Sequence, residues 1–257
     1  MADALVTIST PSDGVRVLAF NRPTKRNALS QDLIDQLLQG LAAAAKDSSV
    51  RVIVVTGSST FFSAGADITE ISQLDAETAR QRRYLEDLCR CITGIRKPIL
   101  AAVEGMALGG GFEVALMCDI IFTSNTARFG LPEVSIGLLP GAGGTQRLTN
   151  AMGKFKAMQV ILLGKQIEAP EAHAAGLVAG LYKPGTVLEE TLTVATQLSG
   201  KSATAVSLSK EAIKRADDLG RDDEFERSLY YFAFGTADKR EGVAAFLEKR
   251  APTWKTG

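Results

Sequence analysis

The sequence predicts an α/β fold, and three observations carry that prediction. Short β-branched runs such as Val52-Ile53-Val54-Val55 alternate with amphipathic helical segments through residues 1–130. Glycine- or proline-bearing turns separate most of these segments. Beyond Gly144 the pattern becomes almost wholly helical.

Taken in order, Val6-Thr7-Ile8 begins a strand, and Val15 to Asn21 forms another that stops at Arg22-Pro23. Ser30-Gln31-Asp32 starts an amphipathic helix through Leu41, with Leu33, Ile34, Leu37, Leu38 and Leu41 on one face. Arg51 to Gly57 is a strand buried on both sides. Asp67-Ile68-Thr69-Glu70 has the spacing of a capping box, with Asp67 as N-cap and Glu70 at N3. The periodicity then predicts one helix from Thr78 to Gly94, ended by Lys97-Pro98. Ile99 to Val103 is a strand, Gly105 to Gly111 a turn, and a helix carrying Glu113 follows. Ile120 to Thr123 is again a strand. Helices are expected over Gln146–Gly164, Pro170–Ala175, Val187–Leu198, Thr204–Asp218, Asp222–Phe234 and Lys239–Lys249, with joints at Gly185 and Gly200-Lys201-Ser202.

Composition removes several function classes. The formal net charge is zero, with 29 basic and 29 acidic residues, so there is no electrostatic footprint for nucleic acid. No apolar run reaches the ~18 residues of a membrane span. The longest, Val114 to Phe122, is interrupted by Asp119. Three cysteines, an odd number in a chain this long, do not form a disulfide framework, and neither they nor the single histidine suggests a metal site. That histidine, His173, reads as a helix-end residue before Gly176. The amino terminus has no basic or Arg-rich leader pattern, and Trp254-Lys255-Thr256-Gly257 lacks a peroxisomal ending. A cytoplasmic location is therefore expected, or the mitochondrial matrix if a transit peptide has been removed.

Two glutamates stand out in apolar, uncharged surroundings. Glu113 follows Gly109-Gly110-Gly111-Phe112, and Glu133 lies in Phe129-Gly130-Leu131-Pro132-Glu133-Val134 with no other charge between Arg128 and Arg147. A carboxylate removed from water without a partner is costly or becomes protonated, so such a pair suits acid–base chemistry. The triple glycine lies at the start of a helix. Its amides can face a developing oxyanion, or the glycines can serve only close backbone packing; the spacing alone leaves both readings open. Pro140-Gly141-Ala142-Gly143-Gly144-Thr145-Gln146 begins as G-x-G but has Gln146 where a dinucleotide fingerprint needs its third glycine. No Walker-type loop is present. In Phe61-Phe62-Ser63-Ala64-Gly65-Ala66-Asp67, Asp67 reads as a cap rather than a catalyst, and the small Ala66 leaves its amide approachable.

Taken together, Ser63-Ala64-Gly65-Ala66-Asp67, Gly105-Met106-Ala107-Leu108-Gly109-Gly110-Gly111-Phe112-Glu113, Pro132-Glu133 and Pro140 to Leu148 resemble the enoyl-CoA hydratase/isomerase (crotonase) family. The likeness runs from Asn21-Arg22-Pro23 and Asn27-Ala28-Leu29 to Arg240-Glu241-Gly242 and Phe246 to Arg250, nearly the whole chain. It implies a crotonase-type spiral of repeated ββα units over residues 1–197, holding the coenzyme A and active sites. Residues 198–257 would then be a C-terminal helical region that builds trimers or dimers of trimers.

The resemblance also implies chemistry. The substrate would be an acyl-CoA thioester, used in fatty acid metabolism or a related pathway, with coenzyme A part of the substrate and no metal or other cofactor. The amides of Ala66 and Gly110 would form the oxyanion hole, which favours the functional reading of the triple glycine. Retention of both carboxylates implies syn hydration of a trans-2-enoyl-CoA to a 3-hydroxyacyl-CoA, Glu113 acting on water and Glu133 on C2. The alternatives are Δ3,Δ2-enoyl-CoA isomerisation through Glu133, or a non-catalytic or RNA-binding member; Lys201, Lys210 and Lys214 make only a thin basic stripe. Gly141 would position the water. Coenzyme A is expected along Lys25, Arg26 and Ala28, beside Ala64, Asp67 and Ile68, with Phe234 and Lys249 near the adenine of a neighbouring subunit. The segment from Ile71 to Leu88, including Tyr84 and Leu85, is expected to line the acyl pocket.

Overall fold

The computed structural model describes residues 4–218 and 223–253. An antiparallel pair, β1 (Val6–Ser12) and β2 (Val15–Phe20), opens the chain and leads into α1 (Gln31–Lys46). The Ser30 side chain accepts from the Leu33 amide, as an N-cap should. Three repeats then follow. β3 (Val52–Thr56) and β4 (Phe61–Ser63) precede α2 (Ile68–Ser72), α3 (Ala76–Gln81) and α4 (Glu86–Gly94). β5 (Ile99–Val103) and β6 (Met106–Leu108) precede α5 (Gly110–Met117). β7 (Ile120–Ser124) and β8 (Arg128–Gly130) precede a 3-10 turn at Glu133–Ile136 and then α6 (Gly144–Met152).

Each repeat gives one strand to a six-stranded sheet, ordered β1-β2-β3-β5-β7-β10, and one to a four-stranded sheet, ordered β4-β6-β8-β9. The chain thus winds as a spiral of ββα units. α7 (Lys154–Leu163), β9 (Gln166–Glu168), α8 (Ala169–Ala174), β10 (Gly180–Tyr182) and α9 (Val187–Ser199) complete it. β3 shows why the large sheet is buried on both sides. Ile53 and Val55 join the main core, while Val52 and Val54 pack with Val187 and Ala195 of α9. Burying each such side chain contributes about 1.5–3 kcal/mol. The Glu104 carboxylate accepts from the amides of Gly185 and Val187, which anchors α9 at its first turn.

α10 (Ala203–Asp218), α11 (Asp223–Phe234) and α12 (Ala237–Leu247) follow. The expected start at Asp222 lies outside the described residues, as does the Trp254–Gly257 ending. α11 packs on α3 and α6, and α12 on α2 and the 3-10 turn of Glu133, so both return to this chain's own core. The buried Lys239 ammonium donates to the carbonyls of Ile71 and Leu74, joining α12 to the end of α2. No described helix is long and apolar enough to cross a membrane.

Three local expectations need correction. The helix expected over Thr78–Gly94 is two helices, because the chain reverses at Arg83 and Leu85, whose φ angles are +50° and +68°. That reversal buries both Tyr84 and Leu85, a tertiary gain invisible to helical periodicity. The helix expected over Gln146–Gly164 breaks at Gly153, where φ is +78°. The capping box is only half formed: Asp67 accepts from the Thr69 amide, but Glu70 accepts from the Gln31 amide at the start of α1.

Candidate active site

The turn at residues 22–29 and the strand-to-helix loop at residues 61–67 meet through backbone geometry. The Leu29 amide donates to the Gly65 carbonyl and the Asp67 amide to the Leu29 carbonyl, at 2.8 and 3.1 Å. The buried Asn27 side chain accepts from the Arg22 amide and donates to the carbonyls of Phe61 and Phe62. Arg22 also pairs with Asp67 at 2.7 Å. Burial pushes the Asp67 carboxyl up, but the Arg22 and Thr69 hydrogen bonds outweigh it and hold the group below the ordinary carboxylate range. Asp67 is therefore a structural clasp for this loop.

This clasp sets the Ala66 amide beside the start of α5. A Cβ added to Gly110 would lie 3.7 Å from the Ala66 nitrogen, which leaves the two backbones close. Among the described residues neither the Ala66 nor the Gly110 amide has a protein acceptor. The three glycines divide the labour. Gly111 is a packing residue, since a Cβ there would meet the Ser63 Cβ at 2.5 Å. Gly109 has φ +50° and its added Cβ would lie 3.1 Å from Glu133 Oε1. Gly110 is the first residue of α5, where the amide points out of the helix.

Glu113 projects from that same first turn and is buried. Its Oε1 accepts from the amides of Ala142 and Gly144, at 2.8 Å each. The carboxylate that looked isolated in sequence is thus gripped by the glycine-rich turn before α6. Arg147 supports the turn from behind by donating to the Ala142 carbonyl at 2.7 Å. Gly141 precedes the turn, and an added Cβ would meet the Tyr230 ring at 2.5 Å. Glu133, at the start of its 3-10 turn, has both carboxyl oxygens buried and lies over Gly109. The Tyr230 hydroxyl is pushed well above its usual range by burial, then by the charges of Tyr84, Glu113 and Glu133. Two buried carboxyls, a pair of neighbouring amides without protein acceptors and an aromatic wall therefore converge, an arrangement able to move protons beside a polarised carbonyl.

The residues expected at coenzyme A divide into two groups. Lys25, Arg26 and Ala28 sit in the turn that grips the 61–67 loop. The Ala64 amide donates to the Arg26 carbonyl, and Ile68 begins α2 directly after Asp67. Lys25 and Arg26 are exposed, the latter lying 5.4 Å over the Phe61 ring. The other group does not meet its expectation so directly. Phe234 is buried among Tyr84, Tyr230 and the Lys239 ammonium of its own chain, so apolar packing rather than an open ring face accounts for it. Lys249 is exposed after α12 with φ +55°. Sequence reasoning assigned no role to the Ala142 and Gly144 amides, to the Asn27 side chain or to Tyr230. Only the small residues of the Gly141–Gly144 turn hinted at a backbone anion grip. Among the described residues no cluster of His, Cys, Asp or Glu could hold a metal ion.

The family model for enoyl-CoA hydratase/isomerase matches residues 10–257. A probable enoyl-CoA hydratase of Rhizobium meliloti is 43% identical over 246 residues, covering 94% of each chain. The 2,3-dehydroadipyl-CoA hydratase of Escherichia coli is 41% identical over 244 residues, covering 94% of this chain and 95% of that one. Among solved structures, a methylmalonyl-CoA decarboxylase bound to 2-nitronate-propionyl-CoA superposes with a TM-score of 0.88 at 29% identity, covering all of both chains.

Proposed function

The chain belongs to the enoyl-CoA hydratase/isomerase family and has its crotonase-type fold, and we propose that it hydrates trans-2-enoyl-CoA thioesters to 3-hydroxyacyl-CoA. The observation that carries this reading is the two-amide grip of Ala142 and Gly144 on Glu113, a buried carboxyl in the first turn of α5, while a second buried carboxyl, Glu133, lies over Gly109 at the start of the same helix. A reaction needing only one proton shuttle has no use for a second carboxyl held so closely. The names of the relatives agree with a hydro-lyase.

In this mechanism the thioester oxygen sits between the Ala66 and Gly110 amides. Glu113, ionised, takes a proton from water as the oxygen bonds to C3. The C2–C3 π electrons move toward the thioester oxygen, where the two amides stabilise the enolate; one such donor is worth ~10²–10³ in rate. Glu133, protonated, delivers its proton to C2 from the same face, so addition is syn. Close carboxyls in an apolar site favour one ionised and one neutral member. Proton exchange with solvent then resets the pair. Gly141 would orient the water, and the reaction uses no metal or redox cofactor.

Coenzyme A would run past Lys25, Arg26 and Ala28, with Ala64, Asp67 and Ile68 flanking the thioester arm. Lys249, exposed after α12, would approach it only in an assembly, whereas Phe234, buried in its own chain, presents no open ring to it. Residues 198–257 would build a trimer or a dimer of trimers. The exposed apolar residues Phe155, Met158 and Leu162 on α7 and Ile213 on α10 support such association. The direct test is the loss of conjugated-thioester absorbance on mixing the protein with crotonyl-CoA and longer 2-enoyl-CoAs. Hydration yields 3-hydroxyacyl-CoA; an unchanged spectrum at every chain length overturns the proposal.

A further inference from the structure

The Tyr84 side chain is 6% exposed, yet its hydroxyl has no hydrogen-bond partner among the described residues. A buried unpaired hydroxyl is destabilising, and phenylalanine would fill the same space without that cost. The position is not remote from the chemistry. The Tyr84 ring stacks at 14° on the Tyr230 ring, centroids 6.4 Å apart, and Tyr230 packs against Gly141 beside the Glu113 grip. The reversal at Arg83 and Leu85, both at positive φ, breaks a helix to turn Tyr84 inward. Burial and an unpaired donor thus coincide on one side chain, between two residues at positive φ, in the segment between the 61–67 loop and the catalytic carboxyls.

We propose that Tyr84 donates a hydrogen bond to a neutral oxygen carried on the acyl chain beyond C3, so that the preferred thioesters are hydroxy- or oxo-substituted rather than plain alkyl. This rests on the hydratase reading and names its substrate class. Burial, with the nearby charges of Glu70, Asp67 and Glu113, raises the Tyr84 pKa and keeps the hydroxyl protonated as a donor. The same three carboxylates disfavour an anionic ligand group at this position. The buried Lys239 ammonium, 5.1 Å over the Phe234 ring, is committed to the Ile71 and Leu74 carbonyls. A neutral acceptor satisfies the orphan donor without that repulsion.

The test uses saturated acyl-CoAs, which bind without reacting. Calorimetry compares 5-hydroxypentanoyl-, 6-hydroxyhexanoyl- and 7-hydroxyheptanoyl-CoA with alkyl partners having the same number of heavy atoms, and adds adipyl-CoA as the anionic probe. The unsubstituted protein should bind at least one hydroxylated member about tenfold more tightly than its isostere. Tyr84→Phe should bring that ratio close to one. The same ratios of kcat/KM are then measured with the corresponding trans-2-enoyl-CoAs. No preference in the unsubstituted protein, a preference that survives Tyr84→Phe, or tighter binding of adipyl-CoA than of every hydroxylated probe would each overturn the proposal. If the binding preference is present and lost with Tyr84→Phe while no enoyl-CoA is hydrated, the hydratase reading fails and the subsite stands.

Discussion

Glu113 Oε1 lies 2.8 Å from the Gly144 amide nitrogen, and also 2.8 Å from the point where a Gly144 Cβ would stand. One residue therefore supplies the hydrogen bond and, by lacking a side chain, the room for the carboxylate to reach it. The bond is charge-assisted and shared with the Ala142 amide, so the carboxylate has a defined position before any substrate arrives.

Gly144→Ala should displace Glu113, since the added methyl would also press on the Pro140 Cβ at 2.9 Å. A shift of about 1 Å in a positioned group costs roughly 10²-fold in rate. Steady-state hydration of crotonyl-CoA should show that loss mainly in kcat. A kcat within threefold of the parent would mean that the grip does not position a reacting group.

The two carboxyls should separate by assay. Under the proposed mechanism Glu113→Ala removes the base that deprotonates water and should abolish hydration, while Δ3,Δ2 isomerisation through Glu133 stays measurable. Glu133→Gln should abolish hydration and solvent proton exchange at C2 together, followed by NMR in deuterated water. Near-normal hydration by the Glu133→Gln variant would refute its role.

The Arg22–Asp67 pair predicts an acid-sensitive contribution to stability. Asp67 is held below its ordinary value of 3.8 in the folded chain. A depressed carboxylate stabilises the fold above its unfolded pKa, and the contribution fades as pH falls through the lower folded value. Asp67→Asn should cost about 1–2 kcal/mol at neutral pH, as expected for a charge-assisted, partly buried hydrogen bond. Urea titrations of the two proteins should converge once the pH drops well below 3.8. A constant difference down to that range would show that charge contributes nothing.

At alkaline pH the sign reverses in the tyrosine cluster. Burial raises the pKa of Tyr84 and Tyr230 above 10.0, and that of Tyr231 to about 12, with the Glu86 charge adding to the last. The unfolded chain releases these protons near pH 10, whereas the folded chain keeps them. Stability is therefore fully present below pH 10 and declines as pH rises through the folded values. Ultraviolet phenolate titration should show Tyr84 and Tyr230 ionising only together with unfolding, and Tyr84→Phe should make the decline shallower. Ionisation of both rings in the native protein near pH 10 would contradict this.

How much was legible depended on the length scale of each feature. β3, β5 and β7 were visible because five consecutive apolar or small residues declare a strand buried on both faces. β4, β6 and β8 are three residues each, too short for any period, and exist because the large sheet's repeats bring them side by side. The break at Arg83 and Leu85 carries no glycine or proline signal; it is set by the burial of Tyr84 and Leu85 against distant helices.

The site divides along the same line. Sequence alone determined which side chains are chemically exceptional, because a glutamate surrounded by glycine and apolar residues is conspicuous through local contrast. It also determined the family, through linked short motifs. Only the tertiary structure decided what those groups touch. Ala142 and Gly144 lie 29 and 31 residues from Glu113, Tyr230 reaches the site from α11, and the Ala66 amide meets Gly110 across two repeats of the spiral. Backbone amides have no side-chain identity to read, so their direction becomes known only when the chain has wound them into place.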